Sequence, residues 1–415
     1  MKGNGKMSSI SMRDRIHSLD MIRGFALFGI LIANMIAFKT PIFNNMSSLV
    51  EGESLPEGGL NGALTILTAL LVDGKFYPMF SMLFGLGFYI FYSRLMQRNL
   101  PATKLFMRRL VFLLLLGIVH LVFIWSGDIL HTYAITGFLL PLFIHRSPKV
   151  IKIWGIALLI AGSLFFTLLL IGSGWSMEYT IAEGFETIES LKAEELAAVS
   201  IMATGSYGEI LSFRFFNEVL FIFFQVLLLV PTILPLFLIG LYFGKTGMFK
   251  DIEGNIKRWK KILWLGLGIG APLVGLSAAV QYNVFDWPAY LTSPVAEGLN
   301  MLGGPLLMLF YVALVVLATR KSSVEKMLMP FAAVGRMALT NYLMQSIIAV
   351  IIFNGYGFGL FGQVSKTQGV GIAIVIYAVQ VVLSYLILKK FNQGPLEFIW
   401  RKWTYAGANK QSKEA

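Results

Sequence analysis

The sequence predicts an all-α fold, a polytopic integral membrane bundle of about ten transmembrane helices with both termini cytoplasmic, and three observations carry that prediction. Hydrophobic residues make up 56% of the 415 residues and charged residues 13%, with a mean hydropathy of +0.72, which leaves too little polar surface to coat a water-soluble particle. The apolar residues gather into runs at 21–38, 76–93, 110–127, 129–145, 152–172, 216–243, 262–281, 298–318, 331–353 and 369–388. Each is near the ~20 residues a helix needs to cross ~30 Å of hydrocarbon, and none alternates with the period of a barrel strand. The segments between runs alternate in charge. One set (1–19, 94–109, 145–152, 244–261, 319–330 and 389–415) holds 27 of the 34 Lys and Arg, the other set holds five, and Arg23 and Arg336 fall inside runs. The positive-inside rule makes the first set cytoplasmic and the number of spans even.

Taken in order, residues 1–18 are polar and basic, and the first run ends without a small-residue cleavage site, so the first helix is expected to stay as a membrane anchor. The outer segment 39–75 starts with turn residues and continues from Leu60 to Val72. That apolar stretch is too short to span and is expected to lie at the interface or re-enter. The outer segment 173–215 carries seven glutamates against Lys192 and Arg214, and its centre, Thr187 to Met202, has the composition of an interfacial helix. An ordinary solvated surface explains the same acidity. Residues 391–415 read as an amphipathic juxtamembrane tail with Trp400 and Trp403 at headgroup level and Glu397 four residues from Arg401. The whole chain is expected to form one transmembrane domain.

The net charge of +12 follows from this topology. Its basic residues are scattered over six short segments, which argues against a nucleic-acid partner. With no cysteine, disulfides, thiolate metal sites and cysteine nucleophiles are excluded. The four histidines show no HExxH spacing, so no metal is expected.

Candidate functional residues are polar groups inside the apolar runs, where an ionisable side chain costs several kcal/mol unless paired or hydrated. Asp20 and Arg23 are three apart, share a helix face and can pair, although a snorkelling Arg beside a helix-start Asp accounts for them equally. Arg108 and Arg109 precede His120, which lies ~16 Å further up the same helix, near the midplane. A structural hydrogen-bonding histidine is the alternative there. Asp128 follows as an outer acceptor, a helix cap or a partner of His131. Arg336, Thr340, Asn341, Gln345 and Ser346 make a polar stripe on one helix, which either lines an interior or bonds helices together.

Several motifs carry a resemblance. Leu19-Asp20-Met21-Ile22-Arg23-Gly24 with Asn34 and Phe38, Lys75-Phe76-Tyr77-Pro78-Met79-Phe80, Gly127-Asp128-Ile129-Leu130 with Tyr133, Gly335-Arg336-Met337-Ala338-Leu339-Thr340-Asn341-Tyr342 and Gly394-Pro395-Leu396-Glu397 resemble the bacterial YeiB-like family over essentially the whole chain. The Leu-Asp-x-x-Arg-Gly opening more distantly resembles the heparan-α-glucosaminide N-acetyltransferases and the wider transmembrane acyltransferase superfamily. Those enzymes carry an acetyl group from cytosolic acetyl-coenzyme A across the membrane, using a histidine before the second span. Here Asn61 to Phe76 contains no histidine. In its place His120 would supply the catalytic base from another helix, and the YeiB-like motifs add Asn34 and Tyr133 to a binding set of Asp20, Arg23, Arg108, Arg109, Asp128, Arg336, Thr340, Asn341 and Gln345.

The expected function is acyl transfer from a cytosolic acyl-coenzyme A, acetyl-coenzyme A or another, to a small-molecule or glycan acceptor. The arginines would bind the phosphates, and Asn341 and Gln345 would stabilise the oxyanion. The alternative is a transporter or lipid-handling protein in which Asp20, Arg23, His120, Asp128 and Arg336 line a proton-coupled path. A sensor or scaffold binding a partner through the acidic loop is a third reading. The expected place is the inner (cytoplasmic) membrane, among lipids, with a homo-oligomer compatible with everything above.

Overall fold

The computed structural model describes residues 17–406 apart from 42–47, 54 and 57. The basic stretch 1–16 and the tail 407–415, both expected to be cytoplasmic, lie outside the described residues. The chain folds into helices α1 (His17–Lys39), α2 (Ser48–Glu51), α3 (Gly59–Leu71), α4 (Phe76–Gln97), α5 (Ala102–Phe123), α6 (Leu130–Gly137), α7 (Pro148–Ala182), α8 (Ile188–Thr204) and α9 (Tyr207–Arg214). It continues through a π turn, Phe215–Val219, into α10 (Leu220–Lys245) and α11 (Ile256–Leu265), and through a second, Gly266–Gly270, into α12 (Ala271–Gln281). Helices α13 (Ala289–Ala318), α14 (Ser322–Arg336), α15 (Ala338–Phe353), α16 (Lys366–Lys390) and α17 (Pro395–Tyr405) complete it.

Among the described residues, eight helical stretches are long and apolar enough to cross a membrane, or nine if α14 and α15 form one broken span. The expectation of ten differs at two places, each with a physical cause. The run 129–145 becomes a short helix and a 3₁₀ turn, Leu130–Leu142, because Pro141 removes a backbone donor and ends regular helix. Its 13 residues rise only about 20 Å. The run 331–353 is broken at Met337, where α14 and α15 meet at 77°. The outer segment expected to lie at the interface or re-enter holds α3, which a turn over residues 72–75, with Gly74 at φ +80°, joins to α4.

Small residues set the tightest crossings. A Cβ on Gly24 would stand 1.9 Å from the Phe331 carbonyl oxygen, and one on Gly335 would stand 2.0 Å from that of Asp20, so α1 and α14 touch backbone to backbone. Gly85 and Gly240 do the same between α4 and α10. In a membrane, where lipid is as apolar as leucine, such contacts bind helices through close packing.

The basic segments converge on one end of the bundle. Tyr92 bonds Thr103 at 2.8 Å, joining the end of α4 to the start of α5. Lys245, ending α10, donates to the carbonyls of Ile144 (2.6 Å) and Arg146 (2.7 Å). Arg320 pairs with Glu253 at 2.8 Å, and the indoles of Trp400 and Trp403 on α17 donate to the carbonyls of Arg109 and Arg108. Gly335 lies against Asp20, and Arg336 donates to the Asn392 carbonyl, which brings the start of α1 to the same end.

Candidate functional site

The site grows from the end of α5. Ile124 and Trp125 both donate their backbone N–H to the His120 carbonyl, closing the helix one turn beyond that residue. The chain then turns at Gly127 and starts α6 directly against α5. A Cβ on Gly117 would stand 2.4 Å from the His131 nitrogen, so only glycine permits this approach. Asp128 is thereby set between two imidazoles. Its Oδ1 lies 2.8 Å from His120 Nδ1 and its Oδ2 lies 2.7 Å from His131 Nδ1. The His131 backbone N–H also donates to Oδ2 at 2.9 Å, making Asp128 a cap for α6 as well as a partner of His131. His120 is fully buried, His131 1% exposed and Asp128 7% exposed.

One polar atom in this centre is left over. His120 Nε2 is buried and has no hydrogen-bond partner among the described residues. With Nδ1–H donated to the carboxylate, the neutral imidazole carries a lone pair on Nε2. Tyr342 of α15 packs beside it, with ring centroids 5.4 Å apart, and its hydroxyl accepts from the Ile129 backbone at 3.3 Å. Trp125 packs edge-on at 6.3 Å. Tyr133, one turn along α6, bonds Ser81 at 2.6 Å and donates to the Tyr77 carbonyl at 3.1 Å, which ties the centre to α4.

Not all of the residues singled out in the sequence meet here. Asn341 and Gln345 lie on α15 but turn toward α16 and α1. Asn341 donates to Ser384 (2.9 Å) and the Val334 carbonyl (3.1 Å), and Gln345 to Gln380 (2.9 Å). Their amides bond helices together, away from His120. Thr340 belongs to a different device, in which Glu397 accepts from the backbone N–H of Leu339 (2.8 Å) and Thr340 (3.1 Å) and from the Thr340 hydroxyl (2.6 Å). Asn34 is half-buried in the outer half of α1.

The arginines gather about 16 Å below His120, at the basic end. Arg23 pairs with Asp20 at 2.9 Å and keeps 30% of its side chain exposed. It lies close enough to Arg109 to interact electrostatically. The Arg109 guanidinium is sandwiched between Phe91 (5.1 Å) and Trp400 (3.7 Å). Arg108 is committed to the carbonyls of Trp403 and Ala406. All four arginines are half-buried, and Arg336 donates to the Asn392 carbonyl at 3.2 Å.

The sequence reading missed three residues. Arg214, 2% exposed, donates to the carbonyls of Leu121 (3.0 Å) and Ile124 (2.8 Å), satisfying the last turn of the helix that carries His120. Glu218 follows at 3.6 Å, presented by the π turn that opens the α10 span. Their i, i+4 spacing at the edge of an apolar run was the available signal. Tyr342 was in view only as a neighbour of Asn341.

Comparisons with known proteins agree with one another. A family model described as a protein of unknown function (DUF418) matches residues 243–407. The chain is 33% identical to the uncharacterized protein YxaH of Bacillus subtilis (strain 168) over 94% of each chain. It is 28% identical to an uncharacterized 39.9 kDa protein in the amylase 3′ region of Bacillus acidopullulyticus over 96% of each. It is 26% identical to the uncharacterized protein YeiB of Escherichia coli (strain K12), over 95% of this chain and 97% of that one.

Proposed function

The chain belongs to the DUF418 family of YeiB-like bacterial membrane proteins, and we propose that it is a transmembrane acyltransferase of the inner membrane that uses His120 as general base. The observation that carries this reading is the His120–Asp128 dyad, with Nε2 left without a partner inside the bundle. A buried carboxylate on Nδ1 fixes the tautomer and stabilises the imidazolium that forms when Nε2 takes a proton. Here Asp128 is itself held by two donors from His131.

In the step this supports, an acceptor hydroxyl or amine gives its proton to His120 Nε2 as its oxygen or nitrogen attacks the thioester carbonyl of an acyl-coenzyme A. The tetrahedral intermediate collapses, the C–S bond breaks, and the thiolate recovers the proton from His120. The Tyr342 hydroxyl, whose ring packs beside the imidazole, would serve the oxyanion in place of Asn341 and Gln345, whose amides are engaged with α16. Arg23 and Arg336 would receive the donor's phosphates at the basic end, with the pantetheine arm rising between them and His120.

The test is binding followed by turnover. Acetyl-coenzyme A should raise the unfolding midpoint of the purified protein, since a ligand bound only by the folded state stabilises it. Arg336→Ala and Arg23→Ala should weaken that rise, and His120→Ala should keep it while cutting acyl-dependent release of free thiol by ~10²–10⁴-fold. No rise at millimolar ligand would overturn the transferase. A second reading then gains weight from the two imidazoles on one carboxylate, an arrangement suited to carrying a proton through a transporter.

A further inference from the structure

A second buried polar centre lies beyond the end of α5. Arg214 and Glu218 are 2% and 5% exposed and stand at i, i+4, where α9 passes through the π turn into α10. The two Nη atoms of Arg214 are committed to the carbonyls of Ile124 and Leu121. Its Nε is left over. Arg214 Nε and Glu218 Oε2 are both buried, and neither has a hydrogen-bond partner among the described residues. They stand 3.6 Å apart, which is beyond a direct hydrogen bond and is the separation at which a bridging group is to be sought.

The space for such a group is present. Arg214 and Glu218 line a cavity of about 10 Å³ together with Thr40, Trp125, Ser126 and Asn354. That volume is at the ~10–15 Å³ that admits one water molecule. The chemistry of the lining selects the same occupant. One open donor, Arg214 Nε–H, faces one open acceptor, Glu218 Oε2, so the occupant must accept on one side and donate on the other. The charged residues that line the cavity cancel, because an ammonium would meet the guanidinium and an anion would meet the carboxylate. Lys39, next to Thr40, is turned elsewhere and donates to the Val364 carbonyl at 2.6 Å.

We propose that this cavity is a binding site for one internal water molecule, which accepts from Arg214 Nε and donates to Glu218 Oε2, so that the buried pair is bridged instead of joined directly. Two unsatisfied charged groups inside the bundle are costly, and a bridging water replaces a direct hydrogen bond at little loss. The bridge also has a mechanical role. Arg214 satisfies the last carbonyls of the helix that carries His120, and Glu218 opens the α10 span, so the water fixes the guanidinium that closes α5 against α10. The Trp125 indole both lines the cavity and packs edge-on to His120 at 6.3 Å, which makes the hydrated pair a neighbour of the imidazole centre. The proposal concerns occupancy and does not depend on the chemistry at His120.

Full-length protein in nanodiscs tests it in two ways. In a high-resolution density map, a peak should stand ~3 Å from both Arg214 Nε and Glu218 Oε2. In solution, a short X-ray pulse generates hydroxyl radicals from bound as well as bulk water, so side chains lining a hydrated cavity are oxidised despite their burial. Trp125 and Met202 line this one and are buried. They should be oxidised several-fold more than Trp259 and Met248, which are buried in the apolar core. Glu218→Leu, which removes the acceptor, should bring Trp125 and Met202 down to the level of that pair. Glu218→Gln, which keeps the shape and an acceptor oxygen, should leave them as in the wild type. The map and the wild-type comparison decide the question even where the leucine variant does not fold. A map in which Arg214 Nε and Glu218 Oε2 close to direct contact with no peak between them overturns the proposal, as does oxidation of Trp125 and Met202 no greater than that of Trp259 and Met248, or unchanged in a folded Glu218→Leu variant.

Discussion

Asp128 is the residue on which the candidate site turns, because one carboxylate decides the state of two imidazoles. In Asp128→Asn, the amide can still accept from the His131 backbone, but its NH₂ would face His120 Nδ1 and drive the proton to Nε2. The base would then be blocked without a change of shape. The expected outcome is acetyl-coenzyme A binding as in the wild type, with transfer reduced by ~10²–10⁴-fold, seen as a loss in kcat at unchanged KM. Equal losses in Asp128→Asn and Asp128→Ala binding would point to a structural carboxylate instead. The members of this centre were legible through their cost, since His120 and Asp128 are polar groups in apolar surroundings. Their convergence with Tyr342, 214 positions after Asp128, was not legible, because it depends on how α15 packs. The amides of Asn341 and Gln345 show the opposite case. Their periodic stripe was legible, but a stripe says which residues share a face and not which helix that face meets.

At the scale of the element, the bend between α14 and α15 illustrates what periodicity hides. Residues 331–353 are apolar enough to read as one helix, and nothing local requires a break at Met337. The break is stabilised from 58 residues downstream by Glu397, whose carboxylate accepts from two orphan N–H groups at the start of α15 and from the Thr340 hydroxyl. A carboxylate at a helix N-terminus satisfies donors and complements the dipole, together worth about 1–2 kcal/mol. Glu397→Ala should lower the unfolding midpoint by a corresponding amount, and Glu397→Gln, which keeps one acceptor oxygen, should recover part of it. An unchanged midpoint in the alanine variant would show that the bend is held by the α1–α14 crossing alone. The short α6 is the complementary example, for there the cause was written in the sequence as Pro141 and only the length of the apolar run argued otherwise.

At the scale of the whole molecule, charge segregation and packing give one answer by independent routes. Alternation of Lys and Arg along the chain sorted the segments into two sets, and hydrogen bonds and ion pairs in the folded bundle bring 94–109, 145–152, 244–261, 319–330 and the start of α17 to one end. The start of α1 joins them through Asp20 and Gly335. A chain that starts and finishes at the same end must cross an even number of times. The eight long stretches and the broken span give eight or nine candidate crossings among the described residues, and a count of ten requires the short α6 and the turns that follow it to return the chain from Asp128 to the carbonyls held by Lys245. This has a direct consequence, because the chain contains no cysteine of its own. Single cysteines introduced at Lys104, Lys149, Lys257 and Lys402 should be inaccessible to a membrane-impermeant maleimide in intact cells and become labelled after permeabilisation. A cysteine at Lys192, in the acidic α8, should be labelled from outside. Positions 104 and 149 are decisive, since they flank α5 and α6. Labelling them from opposite sides would mean that α6 does not complete a crossing and would place the two ends of the chain on different faces of the membrane, whereas labelling them from the same interior side fixes the even count that the basic end requires.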